Sequence, residues 1–209
     1  MSFTSKEWDT INNFRRLCDE KKLWRIMQWR GYDSAKTPED MWLYQETLTE
    51  LRPSLIIEFG SSRGGTALFY ADMLDLLRVP DGRVLSIDIQ SRPNMPVHDR
   101  LTFFVGHSRH EPAIAAVKDA VAKARGPVLI IEDSEHTEQH IVGGLELYAD
   151  MVTVGSYYVV EDLGYPDLQS PARIGVDAFL KRNPKFKVDQ TKDRYLVSVA
   201  NGGWLKRVK

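Results

Sequence analysis

Two patterns in the sequence are arranged for chemistry, and each follows a short apolar run. The first is Glu58-Phe59-Gly60-Ser61-Ser62-Arg63-Gly64-Gly65-Thr66, a glycine-rich turn with a carboxylate before it. Glycine lets backbone pass close to a ligand, and a helix that opens after such a turn offers free amide donors. The spacing is not GxGxxG, which seats a dinucleotide pyrophosphate. A carboxylate ahead of the turn suits instead a ligand that carries an ammonium and a sulfonium. The second pattern is acidic: Glu132-Asp133-Ser134-Glu135-His136 after one apolar run and Glu161-Asp162 after the next. Carboxylates crowded at one point raise one another's pKa and need a counterion. Hard oxygen donors suit Mg2+ or a similar divalent ion, and the single cysteine, Cys18, offers no thiolate set for zinc. Asp133, Glu135, Glu161 and Asp162 are the candidate ligands; salt bridges to Arg63, Arg109 or Arg173 are the alternative. Of the five histidines, His107, His136 and His140 fall near this edge, and His136, three residues past Asp133, is the candidate general base.

These residues need a scaffold that gathers strand ends. From residue 37 onward, strand and helix patterns alternate. Thr37-Pro38 with Asp40 reads as an N-cap and first turn of a helix running to about Leu51. SLIIEF (54–59) has the continuous apolar character of a strand buried on both faces. A helix over about Gly64 to Leu77 follows, then strands at 83–88 and 101–106, a helix in EPAIAAVKDAVAKA, a strand in PVLIIED, a helix over 137–150 and a strand in SYYVVED. After a loop rich in glycine and proline, ARIGVDAFLKR reads as a helix, and FKVDQ and YLVSVA as two strands joined by a tight turn. Such units imply an α/β fold: a Rossmann-like seven-stranded sheet, mostly parallel with a C-terminal antiparallel hairpin, helices on both faces. Ligands of such sheets bind beyond the carboxyl ends of the strands. Asp88, ending the second strand, can accept from both ribose hydroxyls of an adenosine, and Ser108, after the third, is placed for the adenine.

The chain has 209 residues, 43% hydrophobic and 27% charged, enough for one full sheet-and-helix core. Its formal charge of -1 is well mixed, which argues against nucleic acid as a partner. The basic cluster Lys206, Arg207 and Lys209 reads as a solvated tail. The N-terminus has no apolar run, so no secretory signal or membrane span is expected, and the location is expected to be cytoplasmic. Residues 1–36 stand outside the alternating pattern. Trp8, Trp24 and Trp29 lie at roughly helical spacing there, and one or two helices over the sheet's carboxyl edge are expected, as packing or as a lid on residues 37–209.

Taken together, Lys36, Pro38, Asp40, Tyr44-Gln45-Glu46, EFGSSRGGTALFYADMLDLL, SIDI, EDSEH, LYADMVTVGSYYVVED and GGWLKRV resemble the cephalosporin hydroxylase family, from about Tyr32 to Val208. Members of that family resemble S-adenosylmethionine-dependent methyltransferases of natural-product and sugar modification. The resemblance implies cofactor contacts at Glu58, Gly60, Ser62, Thr66, Asp88, Ser108 and Asp133, to which the loop adds Gly64, and a magnesium site built from EDSEH and Glu161-Asp162. Glu135 stands where the family tends to carry aspartate. The expected reaction is O-methylation of a small molecule, with the metal binding a substrate oxygen and His136 taking its proton. A homo-oligomer is also implied. An NAD(P)-linked oxidoreductase on the same sheet and a non-catalytic S-adenosylmethionine-binding protein are the rival readings. Gly143-Gly144, inside a helix, costs on the order of 1 kcal/mol per glycine against alanine and has no account at this level.

Overall fold

The computed structural model describes residues 4–163 and 170–209. The expected loop rich in glycine and proline falls largely outside them. The elements are α1 (Ser5–Lys21), β1 (Gln28–Trp29), β2 (Tyr32–Asp33), α2 (Pro38–Leu51), β3 (Leu55–Phe59), α3 (Gly65–Leu76), β4 (Arg83–Asp88), β5 (Leu101–Val105), α4 (Glu111–Lys123), β6 (Val128–Glu132), α5 (Glu138–Tyr148), β7 (Tyr157–Val160), α6 (Pro171–Arg182), β8 (Phe186–Val188) and β9 (Trp204–Arg207). None of the described helices is long and apolar enough to cross a membrane.

The large sheet has seven strands in the order β5-β4-β3-β6-β7-β9-β8. Its first five run parallel, and β9 runs antiparallel to both β7 and β8. Alternate residues of each central strand feed opposite layers, because successive side chains point to opposite faces. Ile57, Ile130 and Tyr158 pack with Val117, Leu145 and Val176 of α4, α5 and α6. Ile56, Leu129 and Val159 pack with Tyr44 of α2, Leu74 of α3 and Trp204. Burial on both faces is why SLIIEF, PVLIIED and SYYVVED are nearly unbroken apolar runs.

Two expectations are corrected. The last strand is not YLVSVA but Trp204–Arg207, and the turn before it is long: a 3-10 turn at Gln190–Asp193 and irregular backbone separate β8 from β9. The apolar run is needed elsewhere, since Val197 and Val199 wall a cavity and the Ser198 carbonyl accepts from the buried Arg15 side chain at 2.8 Å. Lys206 and Arg207 are therefore strand residues rather than a solvated tail. The Lys206 ammonium lies 5.5 Å from the centre of the Tyr157 ring, and Arg207 donates to the carbonyls of Asp150 and Val152.

The N-terminal segment is also more varied than helices alone. Thr4 and Glu7 form a reciprocal capping box on α1. A 3-10 turn, Leu23–Ile26, then leads into the antiparallel pair β1–β2. The turn residues Arg30 and Gly31 both have positive φ, +51° and +84°, the geometry that matches strand twist in a two-residue hairpin. The three tryptophans thus sit on three different elements. The Trp29 indole donates to Asp72 of α3 at 2.7 Å, which pins the hairpin beside the glycine loop.

Candidate active site

The strand order reverses at β3, with β4 on one side and β6 on the other, and a crevice opens there at the carboxyl ends. It holds a cavity of about 950 Å³. One wall comes from the residues after each strand: Gly60 and Ser62, Asp88 and Ile89, Gly106 to Ser108, Asp133 to Glu135, and Asp162. The other comes from the N-terminal segment, including Phe14, Cys18, Leu23, Trp24 and Met27. Gly60, at φ +100°, packs directly against the backbone that follows β6. A Cβ there would stand 2.0 Å from the Asp133 carbonyl oxygen. The neighbouring Asp133 amide donates to the Phe59 carbonyl at 2.9 Å and fixes the acidic stretch against the loop.

Asp88 lies on the cavity wall with its carboxylate pre-set: one oxygen accepts from the Ser62 amide and the other from the Gln90 amide, both at 3.0 Å. Ser62 is held in the left-handed region, φ +47°, to present that amide. Ser108 lines the cavity too, and its carbonyl accepts from Tyr148. Beside it, His107 stacks on His110 at 4.4 Å. Burial, followed by the charges of His110 and Arg109, pushes the His107 pKa down.

Three of the expected cofactor residues lie behind the wall. Glu58 is 1% exposed and accepts from Ser86, whose hydroxyl is 2.7 Å from that of Ser61. Burial pushes its pKa up to about 7 despite the Ser86 hydrogen bond. Gly64 packs where a Cβ would strike Pro96 and Phe103, and the Thr66 hydroxyl donates to the Ser34 carbonyl. Thr66, with Gly65 against the Asp33 and Tyr32 carbonyls, docks the N-terminal hairpin on α3.

The acidic residues divide in a similar way. Asp133, His136 and Asp162 each offer a ligand atom, all within 4.8 Å of one another. His136 Nε2 is 3.0 Å from an Asp162 oxygen, while its Nδ1 is buried with no hydrogen-bond partner among the described residues. Burial opposes the imidazolium, but Asp162 and then Asp133 outweigh it, so the His136 pKa rises. Asp162 holds a left-handed backbone, φ +52°, unusual for a residue with a side chain. Glu135 instead turns to solvent, its side chain 57% exposed, toward Thr137 and His140. Glu161 is 1% exposed and wholly engaged: Tyr44 donates to one oxygen and Lys36 to the other.

Lys36 is the residue that sequence reasoning missed in this role. Its ammonium donates to both Asp133 and Glu161, and the side chain is 1% exposed. It is a counterion for the crowded carboxylates, and the arginines that were the alternative to a metal are engaged elsewhere: Arg63 pairs with Asp33, while Arg109 and Arg173 bond the Gln139 and Asn201 carbonyls. Even beside this cation, burial pushes Glu161 up to about 8 and Asp133 up to about 6. The one signal in the sequence is position, since Lys36 directly precedes the N-cap of α2 and so enters the crevice with its side chain.

The glycine pair in α5 now has a partial account. A Cβ on Gly144 would lie 3.1 Å from a Glu132 oxygen and 3.2 Å from the Tyr158 hydroxyl, and one on Gly143 would meet the Arg109 side chain. Small residues let the helix close over a buried carboxylate.

Residues 21–208 match the family described as Rhamnosyl O-methyltransferase/CmcI. The chain belongs to that family. The cephalosporin hydroxylase resemblance noted in the motifs points to the same family under a looser name. Within the Rhamnosyl O-methyltransferase/CmcI family, the rhamnosyl O-methyltransferase of Mycobacterium leprae (strain TN) is 37% identical over 142 residues, 67% of this chain and 62% of that protein. The one from Mycobacterium tuberculosis (strain ATCC 25618 / H37Rv) is 34% identical over 143 residues, 67% of this chain and 58% of that protein. The chain thus spans about three fifths of these relatives. CmcI in its Mg-SAM form has the same fold, with TM-score 0.71 and 22% identity over 88% of this chain and 78% of that one. CmcI in an apo form gives 0.72 and 24%, over 88% and 77%.

Proposed function

We propose that this protein binds S-adenosylmethionine in the crevice and transfers its methyl group to a hydroxyl of a small molecule such as a natural product or sugar, with the help of Mg2+. The observation that carries the reading is one cavity faced by the glycine loop, by Asp88 and by the carboxylates after β6 and β7. The names of the relatives and of the CmcI structure support it.

Asp88 accepts from the ribose hydroxyls, its remaining lone pairs directed by the two amides that already hold it. Gly60 and Ser62 take the amino-acid end of the cofactor along the loop, and Ser108 with its neighbours borders the adenine. Glu58, behind the loop and outside the cavity, braces it through Ser86 and Ser61. Asp133 and Asp162, hard oxygen donors on neighbouring strand ends, would hold the divalent cation, joined by Glu161 through the oxygen that Lys36 occupies in its absence. Bound there, it would supply Lewis-acid polarisation of an acceptor oxygen. His136 does not line the cavity and its Nδ1 is buried, so it serves as base through Asp162, which does line it: the carboxylate takes the proton of the acceptor hydroxyl and passes it to His136 Nε2, 3.0 Å away. The N-terminal segment, with Trp24 and Leu23 on the far wall, serves as the lid that excludes water and faces the acceptor.

Calorimetric titration of S-adenosylmethionine and, separately, of NADH, with and without Mg2+, tests the cofactor. Micromolar binding of S-adenosylmethionine, on the order of -8 kcal/mol, is expected. Binding of NADH alone overturns the reading in favour of an oxidoreductase.

A further inference from the structure

The acidic centre already holds a cation, and the chain itself provides it. Lys36 enters from the residue before the α2 N-cap and places its ammonium on Asp133 and Glu161 at once. Both oxygens of Glu161 are thereby occupied, one by Lys36 and one by Tyr44. The side chain is almost wholly buried, yet it also borders the cavity, so an ammonium that leaves the carboxylates has open space beside it. Like charges cannot share one ligand set in a poorly screened interior: a divalent ion and an ammonium on the same carboxylates repel more strongly than two surface charges would.

We propose that Lys36 is a tethered competitor of the divalent cation: it holds Asp133 and Glu161 in place while no metal is bound, and metal must displace its ammonium to enter. The inference rests on the metal reading above. It has two consequences. The carboxylates stay ordered in the metal-free protein, so the site is preformed. Metal affinity is lower than the same carboxylates would give alone, so the ion exchanges readily with its surroundings. Because binding and displacement are linked, whatever pulls Lys36 toward the cavity, including an anionic group on a ligand, strengthens metal binding by the same factor that metal strengthens that ligand's binding.

The test is titration of Mn2+ into the chelator-stripped full chain, followed by electron paramagnetic resonance of the free ion, for wild type, Lys36→Met and Asp162→Asn. Lys36→Met is expected to bind Mn2+ more tightly by about tenfold or more, since a nearby unit charge is removed from a weakly screened site. Equal or weaker binding by folded Lys36→Met overturns the proposal and leaves the metal site standing. Absence of Mn2+ binding in both proteins, or binding unaffected by Asp162→Asn, overturns the metal reading and the proposal with it. Should Lys36→Met not fold, wild type carrying 13C at the lysine ε-carbon answers the same question. The Lys36 resonance, identified by its loss in Lys36→Arg, should move in step with Mg2+ saturation. A resonance unmoved at saturation overturns the displacement.

Discussion

Replacing Gly60 by alanine tests the closure of β3 on β6, and its cost can be worked from the geometry. Alanine at φ +100° lies outside the regions open to residues with a Cβ, a strain of about 1–3 kcal/mol. The added carbon would also stand 2.0 Å from the Asp133 carbonyl oxygen and 2.6 Å from its carbon. Those are backbone atoms, so no rotamer relieves the clash, and the two strand ends must separate. The hydrogen bonds at risk are Asp133 to Phe59 and Gly60 to Ile87, at 2.9 and 2.8 Å, worth about 1 kcal/mol each. The sum is roughly 3–5 kcal/mol, a large part of the ~5–15 kcal/mol that holds a domain together. At about 2–4 °C per kcal/mol for a chain of this size, the melting temperature should fall by roughly 6–20 °C. Gly155→Ala is the matched control, because Gly155 has φ +89° but nothing within 4 Å of its would-be Cβ; only the strain of about 1 kcal/mol is expected there. Differential scanning calorimetry of both variants separates the two contributions. A Gly60→Ala protein that melts with Gly155→Ala would refute the close approach.

Other outcomes follow from the same site. The neutral form of Glu58 is favoured in the folded protein, because burial lifts its pKa from 4.5 to about 7. The resulting stability, about 3 kcal/mol, is present below pH 4.5 and lost as pH rises through about 7; Glu58→Gln should flatten that slope in denaturant unfolding between pH 5 and 8. Asp88→Asn should weaken S-adenosylmethionine by about 10- to 100-fold in calorimetry, with the circular dichroism unchanged, since an amide accepts less well from a ribose hydroxyl. Gly143→Ala should stabilise α5 by up to about 1 kcal/mol, because the Arg109 side chain can yield, whereas Gly144→Ala should destabilise, because Glu132 and Tyr158 are fixed in the core. Thermal melts that rank those two variants the other way would contradict the packing described here.

The central sheet was legible because its strands carry their own signature. Strands buried on both faces must be largely apolar, and Leu55–Phe59, Val128–Glu132 and Tyr157–Val160 are so but for Glu58 and Glu132 near their carboxyl ends. The N-cap Thr37 likewise announces α2, accepting from the amide three residues on. Local rules failed where tertiary contacts decide. Tyr195–Ala200 has strand-like composition, but Val197 and Val199 are claimed by the cavity, and Trp204–Arg207 enters the sheet although half of it is charged. The β1–β2 hairpin was hidden by its brevity, although Arg30-Gly31 between two aromatic residues is a turn signal. In the site, the sequence pointed to strand ends but not to side-chain directions. Thus Asp88, Asp133 and Asp162 reach the cavity, while Glu58, Glu161 and Thr66 face inward. Lys36 was unreadable as a counterion because only the assembled crevice brings it to carboxylates about 100 and 125 residues away.

The position of β9 between β7 and β8 has a bearing on how the molecule is made. Synthesis proceeds from the amino end, so Phe186–Val188 is made before β9, the strand it pairs with. Until Trp204–Arg207 has cleared the ribosome, the edge of Tyr157–Val159 stands open, with a vacant slot where the Trp204 indole belongs between Tyr44 and Tyr157. Until that pairing forms, the released chain presents an apolar strand edge, the kind of surface that pairs with other chains. Closing the sheet is therefore the last pairing in chain order, and a chain cut short before Trp204 is expected to leave that edge to a chaperone or to another copy of itself.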